Sequence, residues 1–256
     1  MSKTNILLLF IILIASYFSN DVFAIELKTA AQNSSPKYYK SSDNQMLGLS
    51  VDIMQAIESV EPNIKFIGYQ EFIPFKRLQL QLEKGQLDIF LGIKKTPSRQ
   101  DKYRFSDIPL YPLNFVLAVR IDDNINIDNF DDIRALGEKG TLLTLSGSAA
   151  SRFLKKQGGL LVADGALSPV ILLKMLKLKR ARFAFYHDLG LRDVINKQGM
   201  GDEIKILPVS FLRYSHYAAF SRKVPNETRE KIEIALDKLS TTGELTKIYM
   251  KHYIAK

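Results

Sequence analysis

The run Leu87–Ile93, LDIFLGI, carries a single polar residue in seven and lies between Gly85 and the Lys94–Lys95 pair. A strand this uniformly apolar is covered on both faces, which requires helices packed on either side of its sheet. The preceding chain supplies them in alternation. Glu26–Ala31 reads as a short strand, and Gly48–Val60 as a helix with Ile53, Met54, Ile57 and Val60 on one face. Ile64–Tyr69 reads as a second strand. Phe75–Lys84 is a helix with an apolar stripe of Phe75, Leu78 and Leu82, stopped by Gly85. The order is βαβαβ, and it predicts an α/β fold with a parallel sheet.

A second unit follows. Leu113–Arg120 is an extended run leading out of the first, and Leu142–Leu145 is a strand. Gly147-Ser148 opens a helix toward Lys155, and Ser168-Pro169 caps another over Val170–Leu178. Phe183–Tyr186 and Ile204–Leu207 are short buried strands, Tyr217–Ser221 reads as a return strand, and helices over Thr228–Leu239 and Glu244–Tyr253 close the chain. Two α/β units joined by two extended crossings imply two lobes around a cleft, where small-ligand sites concentrate. The expected division is residues 25–114 in lobe one, 115–212 in lobe two, and 213–256 returning to lobe one.

The N-terminus bears on compartment. Lys3, the apolar run Ile6–Ile14 and the small-residue site Val22-Phe23-Ala24 form the pattern of a cleaved secretory signal over residues 1–24. The alternative is a membrane anchor, but the run is shorter than the roughly 20 residues a spanning helix needs. The chain has no cysteine, which excludes disulfides, thiolate metal sites, a Cys nucleophile and a lipidated cysteine. A periplasmic, soluble, unlipidated monomer is expected. The net charge is +9, but the basic residues are spread along the chain. The densest group, Lys174, Lys177, Lys179, Arg180 and Arg182, ends a helix, where cations favour the dipole. A solvated face is preferred over nucleic-acid binding.

Arg99 stands just past the apolar strand, in a polar turn. Its planar fork is suited to a carboxylate, although a surface arginine pairing Asp101 or Asp107 has the same local sequence. Gly147-Ser148 offers free amides at a helix start for an anion, or is an ordinary N-cap. His187, His216 and His252 show no metal-ligand spacing, and neither a nucleotide-binding glycine motif nor a nucleophile motif is present. No cofactor or metal is expected.

Four segments together resemble the bacterial extracellular solute-binding proteins of family 3, the periplasmic receptors of polar amino-acid uptake. GLSVDIMQAI from Gly48 is similar to "G-F-D-V-D-L-x-x-A-I". LEKGQLDIFLGIKKTPSR is similar to "L-x-x-G-K-x-D-x-x-x-x-G-x-x-x-T-x-x-R". YRFSDIPLY is similar to "x-x-F-S-x-P-Y-Y", and GELTKIYMKHY to "G-x-x-x-x-I-Y-x-K-W". The resemblance implies a two-lobe Venus-flytrap fold of type II with crossing strands near Leu113–Val119 and Arg213–Phe220. It places the carboxylate-binding arginine on Arg99, the amine-lining glycine on Gly92, the lobe-two anion amides on Gly147 and Ser148, and the ammonium-binding aspartate on Asp188. It further implies no catalysis, a small polar solute such as an amino acid or organic acid as ligand, and an ABC permease or sensor as partner.

Three departures bear on the ligand. Lys94 stands where the family has Thr or Ser facing the amine. A cation there would repel an ammonium and prefer another anionic group, unless the side chain points to water. Phe183 replaces the first aspartate of "D-A-x-x-x-D", so the register admits His187 in place of Asp188. SSPKYY replaces "Y-P-P-F", leaving Tyr38 or Tyr39 as an aromatic lid, with Phe72 as a second stacking residue and Arg77 as a further anion contact. An enzymatic alternative is a dehydratase-like protein on the same fold, with Lys94, His187 or Asp188 as its general acid. A module that has lost amino-acid binding is a third reading.

Overall fold

The computed structural model describes residues 24–254; the expected signal segment, apart from Ala24, lies outside them. The chain order is β1 (Ile25–Lys28), β2 (Tyr39–Lys40), β3 (Met46–Leu47), α1 (Leu49–Val60), β4 (Ile64–Ile67), α2 (Phe75–Lys84), β5 (Ile89–Lys94), α3 (Pro97–Gln100), β6 (Arg104–Phe105) and β7 (Tyr111–Arg120). It continues with α4 (Phe130–Ala135), a 3-10 turn at Gly137–Gly140, β8 (Leu142–Leu145), α5 (Ala149–Gln157), β9 (Val162–Ala166), α6 (Pro169–Lys177), β10 (Phe183–His187) and α7 (Asp188–Lys197). The last elements are β11 (Ile204–Ile206), β12 (Leu212–Phe220), α8 (Asn226–Thr241) and α9 (Glu244–Tyr253).

The local signals explain many of these bounds. Gly85 ends α2 in the left-handed conformation, φ 70°, which glycine adopts without a Cβ clash. The Ser148 and Ser168 hydroxyls accept from the amides of Ser151 and Ile171 at the starts of α5 and α6. The Tyr217 start expected for the return strand is corrected to Leu212, because β12 is extended through residues that face the other crossing strand. Asp188–Lys197 forms a helix that the apolar pattern alone does not predict.

The parallel pairing expected from the βαβ order holds for part of the molecule. β1 pairs β4 in parallel, and β8 pairs β9 and β10 in parallel. β7 and β12, however, are antiparallel to each other and to their other partners. These two long strands are the crossings. The first half of β7, Tyr111–Phe115, pairs with Leu212–His216, and its second half pairs with β10 and β11. The second half of β12 pairs with β5. One sheet therefore runs through both lobes, and the two strands are the links along which the lobes hinge.

Each lobe has its own core. One apolar cluster draws on residues 27–113 and 218–249 together with Leu189. Two others draw on residues 115–207, with Phe115, Phe130, Phe153, Phe185 and Phe211 forming a continuous aromatic layer. Full burial of each such side chain contributes roughly 1.5–3 kcal/mol, so each lobe is held by its own packing without disulfides.

Candidate functional site: the cleft between the lobes

Arg99 is positioned by a short chain of local constraints. Strand β5 ends at Lys94, and α3 follows, with Thr96 before it and Pro97 as its first residue. The Arg99 amide donates to the Thr96 carbonyl at 3.0 Å, and its Nη1 donates back to the Lys94 carbonyl at 2.8 Å. The guanidinium sits 5.5 Å over the Phe75 ring. Pairing with Asp101 or Asp107 is not what holds it. One N–H of five is spent, leaving a fork of donors. Burial depresses its pKa, and Arg152 of α5 adds to that against Tyr103. Arg152, in the first turn of α5, is therefore within electrostatic reach of Arg99.

Gly92 is a bulge in β5, with φ 95°. The register with β12 shifts between Tyr217 and Ala218, which face Ile93 and Leu91. A Cβ there would lie 2.5 Å from Tyr111 Oη and 3.2 Å from Ser50 Oγ. Glycine is required because the hinge tyrosine lies over this backbone. Lys94, the next residue but one, is half-buried with Nζ 4.7 Å over the Tyr214 ring. Burial first, then Arg99, lowers its pKa.

On lobe two, Gly147 turns with φ 61° in open space, and Ser148 caps α5. The Ser148 amide is taken by the Leu145 carbonyl at 3.2 Å. The amides of Ala149 and Ala150 have no partner among the described residues. Those two, not Ser148, are the donors left at the helix start. Arg152 Nη1 donates to the Gly147 carbonyl at 2.7 Å, closing the turn.

Asp188 is brought to the hinge and engaged there. Its carboxylate accepts from the Asn114 amide at 3.1 Å, Asn114 Nδ2 at 2.7 Å, its neighbour Leu189's amide at 2.8 Å and Tyr253 Oη at 3.5 Å. These bonds lock the start of α7 to β7. His187 caps α7, its Nδ1 accepting from the Gly190 amide at 2.9 Å, which puts the ring proton on Nε2. Burial, with Lys37 adding, lowers its pKa to about 3, so the ring is neutral at ordinary pH.

Tyr38 is core: it is fully buried, donates to the Leu91 carbonyl at 2.9 Å and stacks on Phe90 at 5.9 Å. Tyr39 is half-buried and lies 4.1 Å beneath Lys197 Nζ of lobe two, which also donates to Ser35 Oγ at 2.6 Å. Phe72 packs on the lobe-one core, bridging Ala31. The ring beside Arg99 is Phe75.

Sequence reasoning missed Lys37 and His216. Lys37 sits on a loop pinned to the start of α1, where the amides of Leu49 and Ser50 donate to the Pro36 and Lys37 carbonyls at 2.9 and 3.1 Å. A Cβ on Gly48, φ 131°, would meet the Lys37 carbonyl oxygen at 2.3 Å; only glycine lets the loop approach so closely. Lys37 is 7% exposed, and burial followed by Arg99 lowers its pKa to about 8. His216 Nδ1 lies 3.2 Å from Tyr111 Oη, and burial, Lys37, His187, Arg99 and Lys94 hold its pKa well below 6.5. The signal for Lys37 was present: it is the cation inside SSPKYY, where the family motif has an uncharged residue.

The chain matches the family described as bacterial extracellular solute-binding proteins, family 3, over residues 27–255. It is a family 3 solute-binding protein. No curated protein sequence matches it. Its structure is similar to the probable amino-acid ABC transporter extracellular-binding protein ytmK from Bacillus subtilis, at 17% identity and TM-score 0.77, covering 89% of this chain and 97% of that one. It is similar to the GluR0 ligand-binding core from Nostoc punctiforme in complex with L-glutamate, at 21% identity and TM-score 0.68, covering 90% and 100%. The Streptococcus pneumoniae substrate-binding protein AbpA bound to L-arginine matches at 19% identity and TM-score 0.68, covering 89% and 94%. These likenesses establish the two-lobe fold of the family 3 protein. Among its described residues, no helix is long and apolar enough to cross a membrane, and no cluster of three acidic or histidine side chains could hold a metal.

Proposed function

We propose that this family 3 protein is a periplasmic receptor that captures a small carboxylate-bearing solute between its lobes and presents the closed form to an ABC-type permease or a sensor. The observation that supports this reading is Arg99: a half-buried guanidinium just past the end of β5, with most of its donors unspent and Arg152 of α5 within electrostatic reach. A carboxylate there takes two parallel N–H bonds from Arg99 and the free Ala149 and Ala150 amides from lobe two, so it draws the lobes together. The protein works as a monomer exported by its N-terminal signal, with residues 25–114 and 213–256 forming one lobe and 115–212 the other. Binding rather than catalysis fits His187 and Asp188, whose hydrogen bonds are committed to α7.

A thermal-shift screen of amino acids and organic acids tests it, because a ligand raises stability by mass action. The best hit is expected to lose at least tenfold in affinity, about 1.4 kcal/mol, in Arg99→Ala. A loss within about threefold would remove Arg99 as the clamp.

A further inference from the structure

Lys37, Lys94 and Arg99 gather at the end of β5: Tyr38, next to Lys37, and Ser50, whose amide donates to the Lys37 carbonyl, both donate to the Leu91 carbonyl, and Arg99 Nη1 donates to the Lys94 carbonyl. Lys37 and Lys94 each feel the Arg99 charge, and Lys37 acts on His187 and His216 as well. Arg152, from α5, is within electrostatic reach of Arg99. Among the described residues none of these four forms an ion pair. The carboxylate expected to hold an ammonium, Asp188, is consumed by Asn114, Leu189 and Tyr253.

Lys37 decides the matter. The residue is 7% exposed and its ammonium has no hydrogen-bond or ion-pair partner among the described residues, yet Nζ is not among the fully enclosed unpartnered atoms there, so the charged tip of a buried stem opens to solvent. An isolated buried charge is costly, and proteins that keep one pair it, neutralise it or use it. The loop is pinned at two carbonyls to the start of α1, and Gly48 exists in a conformation that permits this approach. The lysine is therefore held in place, and among the described residues nothing pairs with its charge.

Resting on the reading of the cleft as a carboxylate receptor, we propose that the ligand is a doubly anionic organic acid without an α-ammonium group, one anionic group held by Arg99 and the second by Lys37. Lys94 adds charge on the same wall. His187 and His216, both neutral, lie within electrostatic reach of Lys37, and Nε2–H of His187 is a donor. An α-amino acid would bring its ammonium beside three cations, with Asp188, the carboxylate expected to receive it, already engaged. The second group is an anion of either carboxylate or phosphate type, since an ammonium recognises both as a point charge.

Calorimetric titration of the mature full chain at pH 7 tests this, with succinate and glutarate, phosphoglycolate, propionate, and glutamine and arginine as probes. Succinate, glutarate or phosphoglycolate is expected to bind at least tenfold more tightly than propionate, glutamine or arginine, and their ranking separates a carboxylate from a phosphate partner. Lys37→Met, close in length and uncharged, is expected to bring the dianion down to the propionate level, a loss of at least tenfold and larger than any loss for propionate itself. Arg99→Ala is expected to weaken every binder. Tighter binding of glutamine or arginine, or an unchanged dianion affinity in Lys37→Met, would overturn the inference while leaving the carboxylate clamp standing. Binding of every probe unaffected by Arg99→Ala, or no binding by any of them, would overturn both. Lys37→Gln repeats the test if Lys37→Met does not fold.

Discussion

The hinge around Asp188 and the cleft wall around Lys37 each bury a charge, at 2% and 7% exposure, and treat it in opposite ways. Asp188 is surrounded by donors from β7, its own helix and α9. Lys37 feels the like charge of Arg99 from α3 and acts on the neutral rings of His187 and His216, and no carboxylate among the described residues pairs with it. Burial of a charge is structural when its partners are built into the fold and functional when they are withheld. The first sets the geometry of the hinge. The second leaves a place that a ligand completes.

The largest way to test that contrast is Asp188→Ala. It strips the Asn114 amide and side chain and the Leu189 amide of their acceptor. Unmet buried donors cost about 1–3 kcal/mol each, so denaturant unfolding should show a loss of about 3–5 kcal/mol. A loss below 1 kcal/mol would mean the hinge does not depend on this carboxylate.

Lys37 predicts the reverse sign without ligand. Its folded pKa of about 8 lies below the ordinary 10.5, so the folded state holds this proton less tightly than the unfolded chain. The cost is full below about pH 8 and gone above 10.5, on the order of 3 kcal/mol at most. Ligand-free stability relative to Lys37→Met should therefore be lowest at pH 7 and recover as pH rises through that window. A flat difference between the two proteins would show that Lys37 is neutralised within the fold.

The smallest effect expected is at Lys197. It reaches from lobe two to Ser35 and Tyr39 of lobe one while paired with Asp193 at 2.8 Å. Such a partly exposed contact is worth under about 1 kcal/mol, and Lys197→Ala should change the unfolding midpoint little. A larger loss would mean that the protein's own contacts, rather than the ligand, hold the lobes together.

How much of this was legible in the sequence follows from the range of the interactions. α2, α5 and α9 announce themselves through local periodicity and caps such as Gly85 and Ser148. Arg99 is findable because its strand, turn and helix lie within a dozen residues. The role of Asp188 is not, since its main partner, Asn114, is 74 residues away. Nor is that of Lys37: a lysine in a loop is by default solvated, and only the contact between Gly48 and the Pro36–Lys37 backbone shows that this one is buried. The mixed sheet was hidden for the same reason, because the pairing of β7 with β12 joins residues about a hundred positions apart.

The most direct measurement is the proton count on binding a dicarboxylate, read by titration calorimetry at pH 8 in two buffers of different ionisation enthalpy. With its pKa near 8, Lys37 is about half protonated before binding, and an anion beside it restores the charged form. His187, at about 3, and His216, well below 6.5, contribute little there. Uptake approaching about half a proton is expected from Lys37 in the native protein, and clearly less in Lys37→Met, where Lys94, whose pKa burial and Arg99 also lower, is the remaining lysine on this wall. Zero uptake in the native protein, with the dicarboxylate bound, would contradict it.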